Sequence, residues 1–265
     1  MRSLAFAATL GILLFAVRPG LQAEITCTAA EYKGSYAFYT TGSLLRLPPA
    51  GAALVGPFAQ AGTFTMDGQG NAIVESTASY NGLIQPANVP ATYTVTPDCR
   101  VSFSLTLPFP LSVPSVFTGI LSSNMREEVL MITEPPGTLI LGRHQKQYQR
   151  FCGNSDFAGP FEVDLRGTLS APREQAGPVA IIGRLVASGD GTFTASFLHN
   201  YGGTIVQREV TGTYDVTAKC FVSLKYQDGG VAQSAVGALG GRGDSAMMML
   251  TTPGAAVSGV FRSQQ

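Results

Sequence analysis

The chain has 265 residues, with 17 basic and 17 acidic side chains, so its formal charge is zero and there is no basic excess to neutralise phosphates. Charged residues make up 13%, against roughly 25% in ordinary soluble domains, while the 45% hydrophobic content is ample for a core. Together these exclude global disorder and remove the electrostatic case for a nucleic-acid partner.

Residues 1–23 read as a secretory leader. Arg2 supplies the positive start, Leu4 to Val17 is a largely apolar stretch of 14 residues, Pro19-Gly20 breaks any helix, and Ala23 is a small residue at the cut. Fourteen residues fall short of the ~20 needed to span a bilayer, and no later run is longer, so no transmembrane anchor is expected in the mature chain. The expected location is secreted or periplasmic, where cysteines form disulfides.

After the leader, apolar residues alternate with period two, the strand signal. Hairpin signals fall at Asp67-Gly-Gln-Gly70 and Asn81-Gly82, and Val101 to Leu107 is a clean alternating strand. In the second half Phe161-Glu-Val-Asp-Leu165 puts two acids on one face and three apolar residues on the other. Strands are expected there near 158–167, 179–187, 192–199, 204–210, 212–218, 220–227, 233–239 and 245–262, the last divisible at Pro253-Gly254. Between the halves, the polar run Arg143 to Arg150 reads as a linker.

The two halves match. Gly34 and Gly42 meet Gly159 and Gly167 at an offset of 125; Gly62, Gly82, Tyr93 and Cys99 meet Gly183, Gly203, Tyr214 and Cys220 at 121; Gly137 and Gly142 meet Gly254 and Gly259 at 117. The second copy is therefore about four residues shorter at the loop that runs in the first from Leu47 to Gly56, and about four shorter again at Pro108 to Pro114. The division is a first repeat over 24–147 and a second over 148–265. The expected fold is all-β: two tandem antiparallel up-and-down barrels of about eight strands each, with β-sandwiches as the alternative. Four cysteines allow three connectivities, and the repeat favours Cys27–Cys99 with Cys152–Cys220.

The strings Cys27-x4-Tyr32-x-Gly34-x-Tyr36, Gly62-Thr-Phe-Thr-x-Asp67-Gly-x-Gly70 and Thr92-Tyr93-x-Val95-x3-Cys99 resemble the repeat units of a group of secreted bacterial proteins of unassigned function. Gly34-x-Tyr36 and Gly159-x-Phe161 also resemble the Gly-x-Trp opening of lipocalin-type (calycin) barrels, although this chain has no Trp. That resemblance implies a barrel, not a particular ligand.

For function, Tyr36, Phe64 and Tyr93 in the first copy and Phe161, Phe193 and Tyr214 in the second are the candidates to line a site for a small apolar ligand, against filling of the core. His144 aligns with Phe261 and His199 with Ala78, so neither histidine belongs to a site present in both copies. No catalytic residue, metal site or cofactor is expected. Asp67-Gly-Gln-Gly70 lacks the further acids of a calcium loop, and Met247-Met-Met249, aligned with Leu130-Met-Ile132, reads as a buried strand. The leading reading is an exported non-enzymatic two-barrel binding protein. The alternatives are an envelope structural or interaction protein and a barrel isomerase or cyclase, for which Glu75, Asp164, Glu209 and Asp215 are the strand-borne acids to inspect.

Overall fold

A computed structural model describes residues 26–47, 52, 54–107, 112–149, 151–170 and 175–264. The expected leader lies outside them. Barrel 1 consists of β1 (Gly34–Leu44), β2 (Gly56–Met66), β3 (Asn71–Tyr80), β4 (Leu83–Val95), β5 (Arg100–Thr106), β6 (Pro114–Leu121), β7 (Glu127–Glu134) and β8 (Thr138–Lys146). Barrel 2 consists of β9 (Ala158–Leu169), β10 (Gly177–Ser188), β11 (Thr192–Tyr201), β12 (Thr204–Val216), β13 (Phe221–Asp228), β14 (Val231–Gly240), β15 (Ser245–Leu250) and β16 (Ala255–Ser263). Within each barrel every strand pairs antiparallel with the next. β8 closes on β1 and β16 closes on β9, so both sheets are closed barrels and not sandwiches.

The period-two pattern fixes which residues face inward. In β9, Phe161, Val163 and Leu165 are buried in the second core while Glu162 points out. One strand expectation changes. The runs 204–210 and 212–218 are one strand, because Gly212 is not a turn: a Cβ there would sit 2.4 Å from the Lys225 carbonyl oxygen on the neighbouring strand. The region 245–262 does divide at Pro253-Gly254. The polar run from Arg143 is not a linker at its start. Arg143 to Lys146 complete β8, since closure on β1 requires the pairs Tyr39 with Arg143 and Tyr36 with Lys146. Gln147 then makes a parallel bridge to Gly241 of barrel 2.

The two barrels repeat one set of local devices. The disulfides are Cys27–Cys99 and Cys152–Cys220, as the matching halves favoured. Cys99 and Cys220 both hold positive φ, at 63° and 65°. Tyr93 accepts a hydrogen bond from the Gly68 amide and donates to the Tyr32 carbonyl, while Tyr214 accepts from the Gly189 amide and donates to the Asn154 carbonyl. Each of these tyrosines ties a hairpin to the segment that follows the first cysteine.

β1 and β2 of barrel 1 pack against β14, β15 and β16 of barrel 2. Ala37, Ala238, Met247 and Val260 form a small apolar cluster between the walls, and Ser258 Oγ donates to the Thr40 carbonyl at 2.8 Å. The Met247–Met249 strand is buried, with Met248 inside barrel 2 and Met247 between the barrels. Its partner in barrel 1 is one residue from the expected alignment. Leu130 faces Gly119 as Met248 faces Gly237, so Leu130 corresponds to Met248.

Each disulfide closes a loop of about 70 residues (separations 72 and 68), which stabilises the fold by about 4 kcal/mol in the chain-entropy model. Non-reducing peptide mapping is expected to recover the two within-barrel pairs. Replacing Cys152 and Cys220 together by Ser should lower the denaturant midpoint of barrel 2 well before that of barrel 1; an unchanged midpoint would show that the bridge does not hold barrel 2.

Candidate functional site

The six aromatics singled out for ligand contact are all at most 5% exposed and belong to the two cores. Phe64 packs on Phe38 and Phe103 with ring centroids 4.8 and 5.0 Å apart. The interior space bordered by Phe38, Phe64, Phe117 and Leu130 is about 20 Å³, the room of about one water. Barrel 1 is therefore filled. Leu54, Leu107 and Val113, from the two loops that are longer in this copy, join its core and close one end.

At the other end of barrel 1 lies a polar cluster. Tyr32 Oη donates to Glu128 Oε2 at 2.6 Å, and His144 Nδ1 stands 2.9 Å from the same oxygen. Neither the Glu128 nor the His144 side chain has any exposure. A Cβ on Gly119 would fall 1.9 Å from Glu128 Oε1, so this glycine makes the room for the carboxyl group. Burial, then the neighbouring Glu128, pushes the Tyr32 phenol well above its ordinary pKa. A groove of about 310 Å³ between the barrels counts Glu128 and His144 among its lining residues, although neither side chain is exposed to it. In barrel 2 the corresponding residues are Phe157, Ala246 and Phe261, with Phe157 stacked on Phe161 at 4.4 Å. The same scaffold thus closes with an apolar trio in this position.

Barrel 2 carries its polar group at the opposite end, and there it borders a cavity. A space of about 210 Å³ opens there, lined by apolar Leu169, Ile181, Val231 and Leu250 interleaved with His199, Tyr201, Tyr226 and Asp228; Ile181 is the cross-strand partner of His199, and Val231 that of Asp228. Tyr201 Oη is 2.9 Å from His199 Nδ1, His199 Nε2 is 3.5 Å from Asp228 Oδ2, and Arg208 Nε forms an ion pair with Asp228 Oδ1 at 3.1 Å. His199 is 2% exposed and its Nε2 has no hydrogen-bond partner. Burial holds the His199 imidazole below its ordinary pKa, against the pull of Asp228 and with a smaller push from Arg208. The Tyr226 phenol is raised, chiefly by burial and then by Asp228. In barrel 1 the register places Ala78, Leu107 and Ala87 where barrel 2 has His199, Asp228 and Arg208. Leu107 plugs barrel 1 at the position where Asp228 lines the open mouth of barrel 2.

The four acids proposed for chemistry lie on outer walls. Glu75 pairs with Lys219 at 3.1 Å, Asp164 with Arg166 at 3.0 Å, Glu209 accepts from Ser196 at 2.6 Å, and Asp215 is exposed. Asp67 accepts from the Gln69 and Asn71 amides, the geometry of a hairpin turn. Among the described residues no group of three or more His, Cys, Asp or Glu is placed to hold a metal ion, and no helix is long and apolar enough to cross a membrane.

No protein-family model matches the chain, and no curated protein matches it. Among solved structures, it is similar to the isotype 1 transferrin binding protein B of serogroup B Neisseria meningitidis, at 6% sequence identity and a TM-score of 0.33, over 87% of this chain and 75% of that one.

Sequence reading passed over Glu128, His144, His199 and Asp228 as site residues, because a search for side chains shared by both copies discards anything present once. Strand parity was the signal that could find them. Glu128 is in phase with the buried Leu130 and Ile132, and His199 is in phase with Phe193, Ala195 and Phe197.

Two outcomes follow from these clusters. Glu128→Ala alone removes one partner of a buried polar group and should cost roughly 3 kcal/mol, whereas Tyr32→Phe, Glu128→Ala and His144→Phe together, the barrel 2 residues, should recover most of that loss. Urea denaturation of both variants measures it, and a triple variant no better than the single one contradicts it. The second outcome concerns pH. Burial disfavours protonation of His199 in the folded state, while the unfolded imidazole takes up a proton near its ordinary pKa, so the folded state loses stability as pH falls below about 6.5. The thermal midpoint should drop more between about pH 7.5 and about pH 5.5 for the native chain than for His199→Gln. Equal drops would mean that His199 contributes nothing.

Proposed function

We propose that this chain is an exported, non-enzymatic binding protein made of two copies of one barrel unit, 24–147 and 148–265 behind a leader over 1–23, and that the mouth of barrel 2 is its small-ligand site. The observation that carries the reading is the mouth cavity itself, lined by apolar and hydrogen-bonding side chains together, with a buried imidazole nitrogen that has no hydrogen-bond partner. Mouths of β-barrels are among the usual positions of ligand sites. At about 210 Å³ the space lies below the ~300–1,000 Å³ of pockets for drug-sized molecules, so the ligand is small. Asp228 already has Arg208 as its counter-charge, and a charged head group would be desolvated without a compensating partner. The class that fits is an uncharged amphiphile with an apolar body and one hydroxyl or carbonyl head. The ligand reading thereby moves from the six core aromatics to His199, Tyr201 and Tyr226. A second role, contact through the outer wall, has separate support in a bare apolar face on β6, β7 and β8.

The test uses 4-methylphenol as the probe, followed by amide chemical shifts. Saturable shifts centred on His199, Tyr201 and Tyr226 are expected. Val231→Trp, which fills the rim, should weaken binding at least tenfold, and Tyr226→Phe should weaken it less. Shifts elsewhere only, or none, would sink the assignment.

A further inference from the structure

The outer wall formed by β6, β7 and β8 carries Ile120, Val129, Met131, Leu139 and Leu141, each 45–57% exposed. They are contiguous. Ile120 faces Val129 across one ladder, and Met131 faces Leu141 across the next. Their neighbours on β5 are polar: Ser102, Ser104 and Thr106.

Barrel 2 shows what such a wall does when it has a partner. The register places Ala238, Met247, Met249, Ala256 and Ser258 at the positions of those five residues, and all are at most 4% exposed. Their wall is the one that packs on β1 and β2 of barrel 1. The same face of one repeated unit is therefore covered in barrel 2 and bare in barrel 1, although the bare one carries the larger apolar side chains.

The receiving surface differs between the units as well. In barrel 1 it presents small residues, Ala37, Ala59 and Ala61, all at most 1% exposed beneath barrel 2. The corresponding residues of barrel 2 are Glu162, Ala180 and Ile182, flanked by Asp164, Arg166 and Arg184. Charged groups of this kind close a stack of units to further addition, as the polar outer faces of terminal repeats do. A head-to-tail chain of molecules, barrel 1 of one on barrel 2 of the next, would desolvate those charges. The facing pair Ile182 and Leu198, 52% and 39% exposed, is an apolar spot on that surface but lies among those charges, whereas the same wall on another molecule presents five apolar side chains together.

We propose that the β6–β8 face of barrel 1 is a self-association surface, on which two copies of this chain pair wall to wall about a two-fold axis. Sheets pack face to face in this way in sandwiches, and the two-fold dimer is the commonest closed assembly. The five side chains, each about half exposed, form a patch of the size of the largest on an ordinary monomer, roughly 300–600 Å². Two such faces remove about 1,000 Å² from water, which reaches the ~1,000 Å² that a specific interface must clear. The pairing rests on the outer-wall reading and commits it to one partner.

Sedimentation velocity of the exported chain over a wide concentration range tests it. A concentration-dependent dimer is expected, reverting to monomer in Met131→Lys with Leu141→Lys while binding of 4-methylphenol is unchanged. A dimer that survives this double substitution overturns the proposal. A monomer at every concentration overturns it too, and 8-anilinonaphthalene-sulfonate then separates the readings. Dye binding lost on the double substitution leaves the outer wall a contact surface for another protein, and absence of dye binding removes the outer-wall role as well.

Discussion

Pairing of β8 with β1, and of β16 with β9, leaves neither sheet with a free edge, and the rest of the molecule depends on that closure. An eight-stranded barrel has an interior just wide enough for its own side chains. Every second residue must therefore fit a fixed small volume, and aromatic rings from several strands meet near the axis. Strands must also approach closely where the wall curves. A Cβ at Gly62 or Gly183 would lie 2.2 Å from a carbonyl oxygen of the neighbouring strand, which explains why glycine stands at both positions in mid-strand and not only in hairpins.

Within that constraint the two barrels distribute their polar groups in opposite ways. Barrel 1 encloses Tyr32, Glu128 and His144 at the end near its disulfide and seals the other end with Leu54, Leu107 and Val113. Barrel 2 is apolar where barrel 1 has its trio, and polar where barrel 1 is plugged. The shorter loops of the second copy are the visible difference in chain length between the two, and they fall at the end where the cavity opens. Interior exchange of this kind is tolerated because closure fixes the backbone while side chains can substitute for one another at constant volume. The outer walls follow the same rule. Equivalent strands carry Val129 and Met131 toward water in one barrel, and Met247 and Met249 into buried surroundings in the other.

Much of the architecture was legible in the sequence because its signals are local. Alternation identifies strands, Gly-rich hairpins separate them, and matched cysteines and tyrosines put the same bridge and the same hairpin tie in each half. The misreadings arose where a local signal stood for something non-local. Gly212 looks like a turn but accommodates a neighbouring carbonyl. The polar run from Arg143 looks like a linker but supplies the residues that pair with Tyr36 and Tyr39 to close barrel 1.

By itself, the sequence determined two antiparallel β units, their disulfides, and the phase of each strand, because these depend on residue order and on a side-chain period of two. Tertiary structure alone decided which inward-facing polar residues meet. Glu128 and His144 lie 16 positions apart, and His199 and Asp228 lie 29 apart. Only the ladder registers bring each pair together. It also decided which barrel is filled and which has an open mouth, since that depends on loops folding back over one end. The covered or bare state of an outer wall was decided there as well, because it is set by what another unit places against it and not by the residues of the wall.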